Sequence, residues 1–299
     1  MVAHHTRCHG NGGLVLMPPR SNPTARQARL GAELRKLREA CGMSASEAGA
    51  HLGGGTAQIS HIEAGRWGVS PERVRRLAHH YGSGHQALID ELCRMAGERG
   101  RGWWDEYRSA LTQGFLDVSE LEHHARAILL LQITYIPGIF QTADYARAVF
   151  SSASHRIPKD QVDVRVEHRT RRRVIYDRAT PPSTTALVHE AALRIRYGSR
   201  SVQRDQLRFL AEVAEWPAVQ LRIVPFDMDG LSGSIQSMLY AVGPFPELDT
   251  VQIDDAFCGR LVNSVSLLAM YRDMFAVLER KALDASSSRN LIYQAIQEM

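Results

Sequence analysis

The stretch from Ser44 to Gly65 constrains this chain more than any other. Ser44 followed three residues later by Glu47 is a capping-box signature, which opens a short helix over residues 46–52. Gly53, Gly54 and Gly55 then supply a turn, and Thr56 begins a second short helix through Ile59, Ile62 and Glu63 that Gly65 stops. Two short helices on a tight turn are the plan of a helix-turn-helix, whose second helix can enter a major groove. Ala48, Leu52, Ile59 and Ile62 fall where they can share a core, leaving Thr56, Ala57, Gln58, Ser60 and His61 facing outward. Those outward side chains are short or amide-bearing, and none is the long acid that phosphate would repel. Spacing alone does not separate this arrangement from a helix pair with a purely structural purpose.

The flanking sequence completes five helices. Thr24 can cap a helix running to about Cys41, with Leu30, Leu34 and Leu37 on one face and Gly42 at its end. Ser70, Pro71 and Glu72 place Pro at the first position of a fourth helix, and a fifth spans residues 85–96. Residues 1–24 carry Gly, Pro, Asn and Ser without periodicity and read as a disordered arm in which Met17 is a plausible start. The charged, glycine-containing residues 97–102 read as a linker. The expected domains are therefore residues 25–96 and 103–299.

Charge divides along the same boundary. Residues 17–101 hold 13 Arg and Lys against 8 Asp and Glu, whereas residues 102–299 hold 22 against 24. The cationic excess lies on the segment expected to approach a polyanion. An apolar content of 44% with 23% charged residues is that of a globular protein, and no window approaches the roughly 18 apolar residues of a membrane span. The expected location is cytoplasmic, without membrane contact. Cys8, Cys41, Cys93 and Cys258 are widely spaced, which argues against a zinc site or a disulfide framework.

The residues Ile59-Ser60-His61-Ile62-Glu63-Ala64-Gly65 match the pattern Ile-Ser-x-Ile-Glu-x-Gly, and Arg35, Arg38, Ala48 and Leu52 fit around it. On these residues the N-terminal segment resembles the XRE family of helix-turn-helix transcriptional regulators. The resemblance implies an all-α, five-helix, lambda-repressor-like domain binding double-stranded DNA. It implies that Thr56, Ala57 and His61 point at bases with Gln58 beside them, while Ser60 and Arg66 lie near phosphate. It further implies a structural ion pair between Arg38 and Glu63. Gly54 and Gly55 depart from the family's turn, which predicts a loose connection. Ala57 stands where a polar base reader is common and offers only a methyl group to thymine. Because one such domain reads few bases, a homodimer on two half-sites is expected.

Beyond residue 102, helices mix with short strands. Ser119 is expected to cap a helix through Leu131, residues 142–151 form another, and residues 160–178 form a strongly basic one. Residues 184–188, 219–224, 235–242 and 250–253 have strand character, while 203–214 and 264–283 read as helices, with a last helix near the C-terminus. A mixed α/β domain with a small sheet is the expectation. Trp103-Trp104-Asp105-Glu106-Tyr107, Ile136-Pro137-Gly138-Ile139-Phe140-Gln141-Thr142 and Arg169 with Arg172 resemble an antitoxin-like domain of unknown function attached to actinobacterial XRE regulators. That resemblance implies dimerisation, ligand sensing or binding of a small cognate protein encoded nearby. Trp103, Trp104, Arg169 and Arg172 are the candidate regulatory residues, although the tryptophans equally suit a core and the arginines a solvated helix face. His123-His124, His168 and His189-Glu190 are the only candidates for catalysis. Adjacent helical histidines point about 100° apart, and HExxH, GxSxG and a P-loop are absent. No catalysis, cofactor or metal is therefore expected. The rival class is a protein-interaction module that has lost DNA binding.

Overall fold

The computed structural model describes residues 22–98, 102–152, 157–230, 236–254 and 259–299. The expected arm at residues 1–21, the start at Met17, linker residues 99–101 and Cys258 lie outside the described residues. Thr24, the last residue assigned to that arm, is instead buried.

The N-terminal unit comprises α1 (Ala25–Ala40), α2 (Ala45–His51), α3 (Thr56–Glu63), α4 (Pro71–His80) and α5 (Gln86–Gly97). Local chemistry sets these boundaries: Thr24 and Ser44 each form a capping box, and Ser70 caps α4 with Pro71 in its first turn. Leu34, Ala48, Ile59, Ile62, Val74, Leu77 and Leu92 form its core. Two glycines permit the close helix approaches. A Cβ on Gly31 would lie 2.4 Å from the carbonyl oxygen of Glu63, and one on Gly49 would lie 2.8 Å from the Gly55 backbone.

The C-terminal unit opens with a 3-10 turn at Trp103–Tyr107 and α6 (Gln113–His124), then β1 (Ala127–Gln132), a turn at Gly138–Phe140, α7 (Ala143–Ser151) and α8 (Lys159–Arg171). It continues with β2 (Ser183–His189), α9 (Glu190–Arg194), α10 (Arg200–Val213), β3 (Val219–Val224), β4 (Met238–Val242), β5 (Thr250–Asp254), β6 (Gly259–Val262), α11 (Val265–Lys281) and α12 (Ala285–Gln297). The strands form one sheet in the order β3-β2-β1-β4-β5-β6. β1, β2 and β3 are parallel, whereas β4, β5 and β6 each run antiparallel to the preceding neighbour, so the sheet changes character at β1. One face carries Ile128 and Leu130 against Phe140, Tyr145, Leu207, Leu210 and Ile292. The other carries Leu131, Leu187 and Tyr240 against Leu268, Phe275 and Leu278 of α11.

Three expectations are corrected. The helix expected from Ser119 to Leu131 instead starts at Gln113 and ends at His124, and residues 127–132 form the central strand. The run Ile128-Leu129-Leu130-Leu131 is apolar without a period because a central strand is covered on both faces. The basic helix expected over residues 160–178 ends at Arg171 and continues as a 3-10 turn, Arg172–Asp177. The strand expected over 235–242 begins at Met238, and β6, whose Gly259 and Arg260 are exposed at the sheet edge, was not anticipated.

The two units are joined by more than the chain. The amides of Ala25 and Arg26 donate to Asp117 Oδ1 (3.0 Å) and Glu120 Oε2 (3.2 Å), and Gln27 donates to its own cap, Thr24. The free N–H groups of the first turn of α1 are therefore satisfied largely by carboxylates of α6, which also complement the positive end of the helix. Burial raises the pKa of both carboxyls. Arg29 donates to the Asn263 carbonyl oxygen at 2.8 Å, and Leu248 enters the N-terminal core.

Candidate nucleic-acid interface

The turn after α2 is more ordered than its glycines suggest. The Gly53 amide donates to Ala50 (3.0 Å), and those of Leu52 and Gly54 donate to Gly49 (3.0 and 2.9 Å). Gly53 takes a φ of 69°, a left-handed conformation that strains most other residues. Gly54 leaves the space into which the Gln58 amide folds, since a Cβ there would lie 1.7 Å from Gln58 Oε1. The expected loose connection is thus a closed, hydrogen-bonded turn.

α3 presents its outer face to solvent because Ile59 and Ile62 anchor the inner one. Thr56, Ala57 and Ser60 are exposed, and Gln58 and His61 are half-buried. The His61 ring stacks on Trp67 with centroids 4.9 Å apart, so its orientation is held. Trp67 was not singled out in the sequence, where an aromatic just past the helix carries no periodic signal. The N-cap of α3 is Gly55, not Thr56, and supplies no side-chain cap. The first N–H groups of α3 consequently point outward, the arrangement that favours an anion. Arg66 follows the helix with its side chain exposed.

The position of α3 is fixed by Arg38. Its Nε and Nη2 donate to Glu63 Oε1 and Oε2 at 2.6 and 2.9 Å, and Nη1 donates to the Met43 carbonyl at 2.7 Å. One guanidinium thereby ties α1 to α3 and to the turn before α2, and the bonds from Glu63 raise its pKa further. α4 adds exposed Arg75 and Arg76; Arg76 donates to the His51 carbonyl at 2.8 Å, and His51 stacks on His80 at 3.8 Å.

The other candidate residues lie apart from this surface. Trp104 is buried with Tyr107, Leu111 and Leu116, and Trp103 packs against the same cluster. Arg172 forms a bidentate pair with the buried Glu122, Nε donating at 2.8 Å. Arg169 donates to Gln141 Oε1 at 2.8 Å and lies 4.0 Å above the Phe150 ring. His189 caps α9 by accepting from the Ala191 amide. Burial lowers the pKa of His123 to about 4 and that of His124 to about 3, with nearby arginines adding to the effect. Among the described residues no group of His, Cys, Asp or Glu is arranged to hold a metal, and no helix is long and apolar enough to cross a membrane.

Residues 29–92 match a family model described as a helix-turn-helix domain, in agreement with this geometry. That match defines the class: a helix-turn-helix protein, which points to a DNA-binding regulator. Residues 115–294 match a second model, described as a domain of unknown function (DUF5753), and the chain belongs to that family. No curated protein and no solved structure matches the chain.

Proposed function

We propose that the chain is a cytoplasmic, sequence-reading transcriptional regulator of the XRE type that acts without catalysis. The observation that carries this reading is the exposed face of α3, with Thr56, Ala57 and Ser60 outward and the helix held by the Arg38–Glu63 pair. Thr56 and His61 are assigned to base edges, Ala57 to a thymine methyl group, and Ser60, Arg66 and the outward amides of α3 to phosphate, with Gln58 beside the turn. Repression follows from occupancy of a promoter. A homodimer on half-sites about 10 bp apart fits so short a reading helix. Exposed Val265, Leu267, Met270 and Val277 of α11 offer the apolar surface for pairing.

The test is binding of full-length protein to genomic fragments selected from a random library, followed by comparison of two variants. Thr56→Ala with His61→Ala relaxes sequence preference, each lost base contact costing about 1–3 kcal/mol. Arg66→Ala weakens all duplexes alike and flattens the logarithmic salt slope by about 0.9. Absence of binding to any duplex at low salt overturns the proposal. A stoichiometric small protein co-purifying with a chain that ignores DNA would favour the antitoxin-like alternative, which the methyl-only Ala57 suits.

A further inference from the structure

The carboxyl end of β1, where the parallel half of the sheet meets the antiparallel half, holds an incomplete set of polar groups. Such switch points are where open α/β sheets place ligands. On one side stands Arg169. Its Nη1 donates to Gln141 Oε1, itself fully buried, while among the described residues Nε and Nη2 meet no acceptor and no carboxylate lies within 4.0 Å. Gly138 makes room for this guanidinium and its neighbour, since a Cβ there would lie 3.0 Å from Arg172 Nη1 and 3.6 Å from Arg169 Nε. Arg172 already has Glu122 as its partner, so the positive charge of Arg169 has none.

On the other side stands Asp254, at the end of β5. Its Oδ2 accepts from the Tyr135 hydroxyl at 2.6 Å and from Gln132 Nε2 at 3.5 Å. Among the described residues its Oδ1 meets no donor. Gln132 is 6% exposed, and its Oε1 is a buried acceptor with no partner. An unpaired buried acceptor is costly, and native proteins seldom leave one without a use. Asp254 is near enough to favour the charged form of Arg169 without pairing with it. Unused donors therefore face the recess from one wall, and unused acceptors from the opposite wall.

We propose that this recess binds the zwitterionic head of a free α-amino acid, its carboxylate on Nε and Nη2 of Arg169 and its ammonium on Asp254 Oδ1 and Gln132 Oε1. A simple anion would leave the acceptors unpaired, and a simple amine would leave the guanidinium unpaired; the zwitterion satisfies both. Phe150, beneath Arg169, supplies an apolar wall. Desolvation, followed by the neighbouring Arg172, lowers the Arg169 pKa to about 10, yet the side chain is only half-buried, as befits a group lining a recess.

The site also has a route to the N-terminal unit. α8 joins α6 through the bond between His168 Nε2 and Ser119 Oγ (3.0 Å) and through Arg172 with Glu122. α6 in turn holds the first turn of α1 with Asp117 and Glu120. Occupancy of the recess is thus coupled to the placement of α3, a regulatory consequence that rests on the DNA-binding reading above.

The experiment is thermal unfolding of the full chain with each common L-amino acid at about 5 mM, without DNA, with their N-acetyl derivatives in parallel. At about 100-fold excess over Kd, at least one free amino acid raises Tm by about 5 °C. Its N-acetyl form, which lacks the ammonium, does not. Arg169→Gln and Asp254→Asn each weaken binding at least about tenfold. Asp254→Asn keeps an acceptor for Tyr135 and so remains informative if Arg169→Gln does not fold. The proposal is overturned if no amino acid shifts Tm, if the N-acetyl form binds equally, or if Asp254→Asn binds as tightly as the parent. Adding the active amino acid to the DNA titration separates the two readings. Ligand binding without DNA affinity sinks the regulator, whereas DNA affinity without any amino-acid shift sinks the site. Unchanged DNA affinity upon ligand binding removes the coupling and leaves the site standing.

Discussion

Replacing His168 by Gln isolates a pH effect that the geometry makes large. His168 is 1% exposed; its Nε2 meets Ser119 Oγ, its Nδ1 has no partner, and its ring is enclosed by Trp103, Tyr107 and Phe115. Burial, reinforced by Arg172, Arg169 and Arg171, lowers its pKa to about 3 from an unfolded value of 6.5. The unfolded chain therefore binds the extra proton between about pH 6.5 and pH 3. The stability attached to the neutral ring is fully present above pH 6.5 and is lost as pH falls. Between pH 7.5 and pH 5.5 the unfolded ring takes up most of one proton while the folded ring takes up almost none, which amounts to about 1.4 kcal/mol. Glu167, bonded to Tyr107, and the carboxyls Asp117, Glu120 and Glu122 are common to both proteins, so they cancel in the comparison. The assay is urea unfolding at the two pH values, followed by circular dichroism and by fluorescence of Trp103, whose ring lies 5.3 Å from His168. The parent should lose about 1.4 kcal/mol more than His168→Gln. Equal losses in the two proteins would show that the ring is solvated or charged, and the account of the α6–α8 joint would be wrong.

Glu63→Gln breaks the bidentate partner of a guanidinium whose side chain is 10% exposed and should cost about 3 kcal/mol with a marked loss of DNA affinity; a urea-unfolding loss below about 1 kcal/mol would contradict it. Gly31→Ala forces a methyl group onto the Glu63 carbonyl and should cost about 1–3 kcal/mol. Gly114→Ala, in α6 with nothing within 4 Å, should instead stabilise by about 0.5–1 kcal/mol, and calorimetry should show the opposite signs.

The sequence by itself determined the elements whose signals are local. Caps at Thr24, Ser44 and Ser70, the glycines at 42, 53 and 65 and the apolar spacing through Ile59 and Ile62 marked the five helices, because each depends on chemistry within a few residues. Local chemistry could not distinguish strand from helix in Ile128-Leu129-Leu130-Leu131, since that run is apolar on account of neighbours far away in the chain. The same limit hid the shelf that Trp67 gives His61 and the clamp of Asp117 and Glu120 on α1. It likewise hid the separation of Arg169 from Asp254: opposite charges 85 positions apart carry no sequence signal of whether they pair, and only the packing of α8 over the end of the sheet holds them apart.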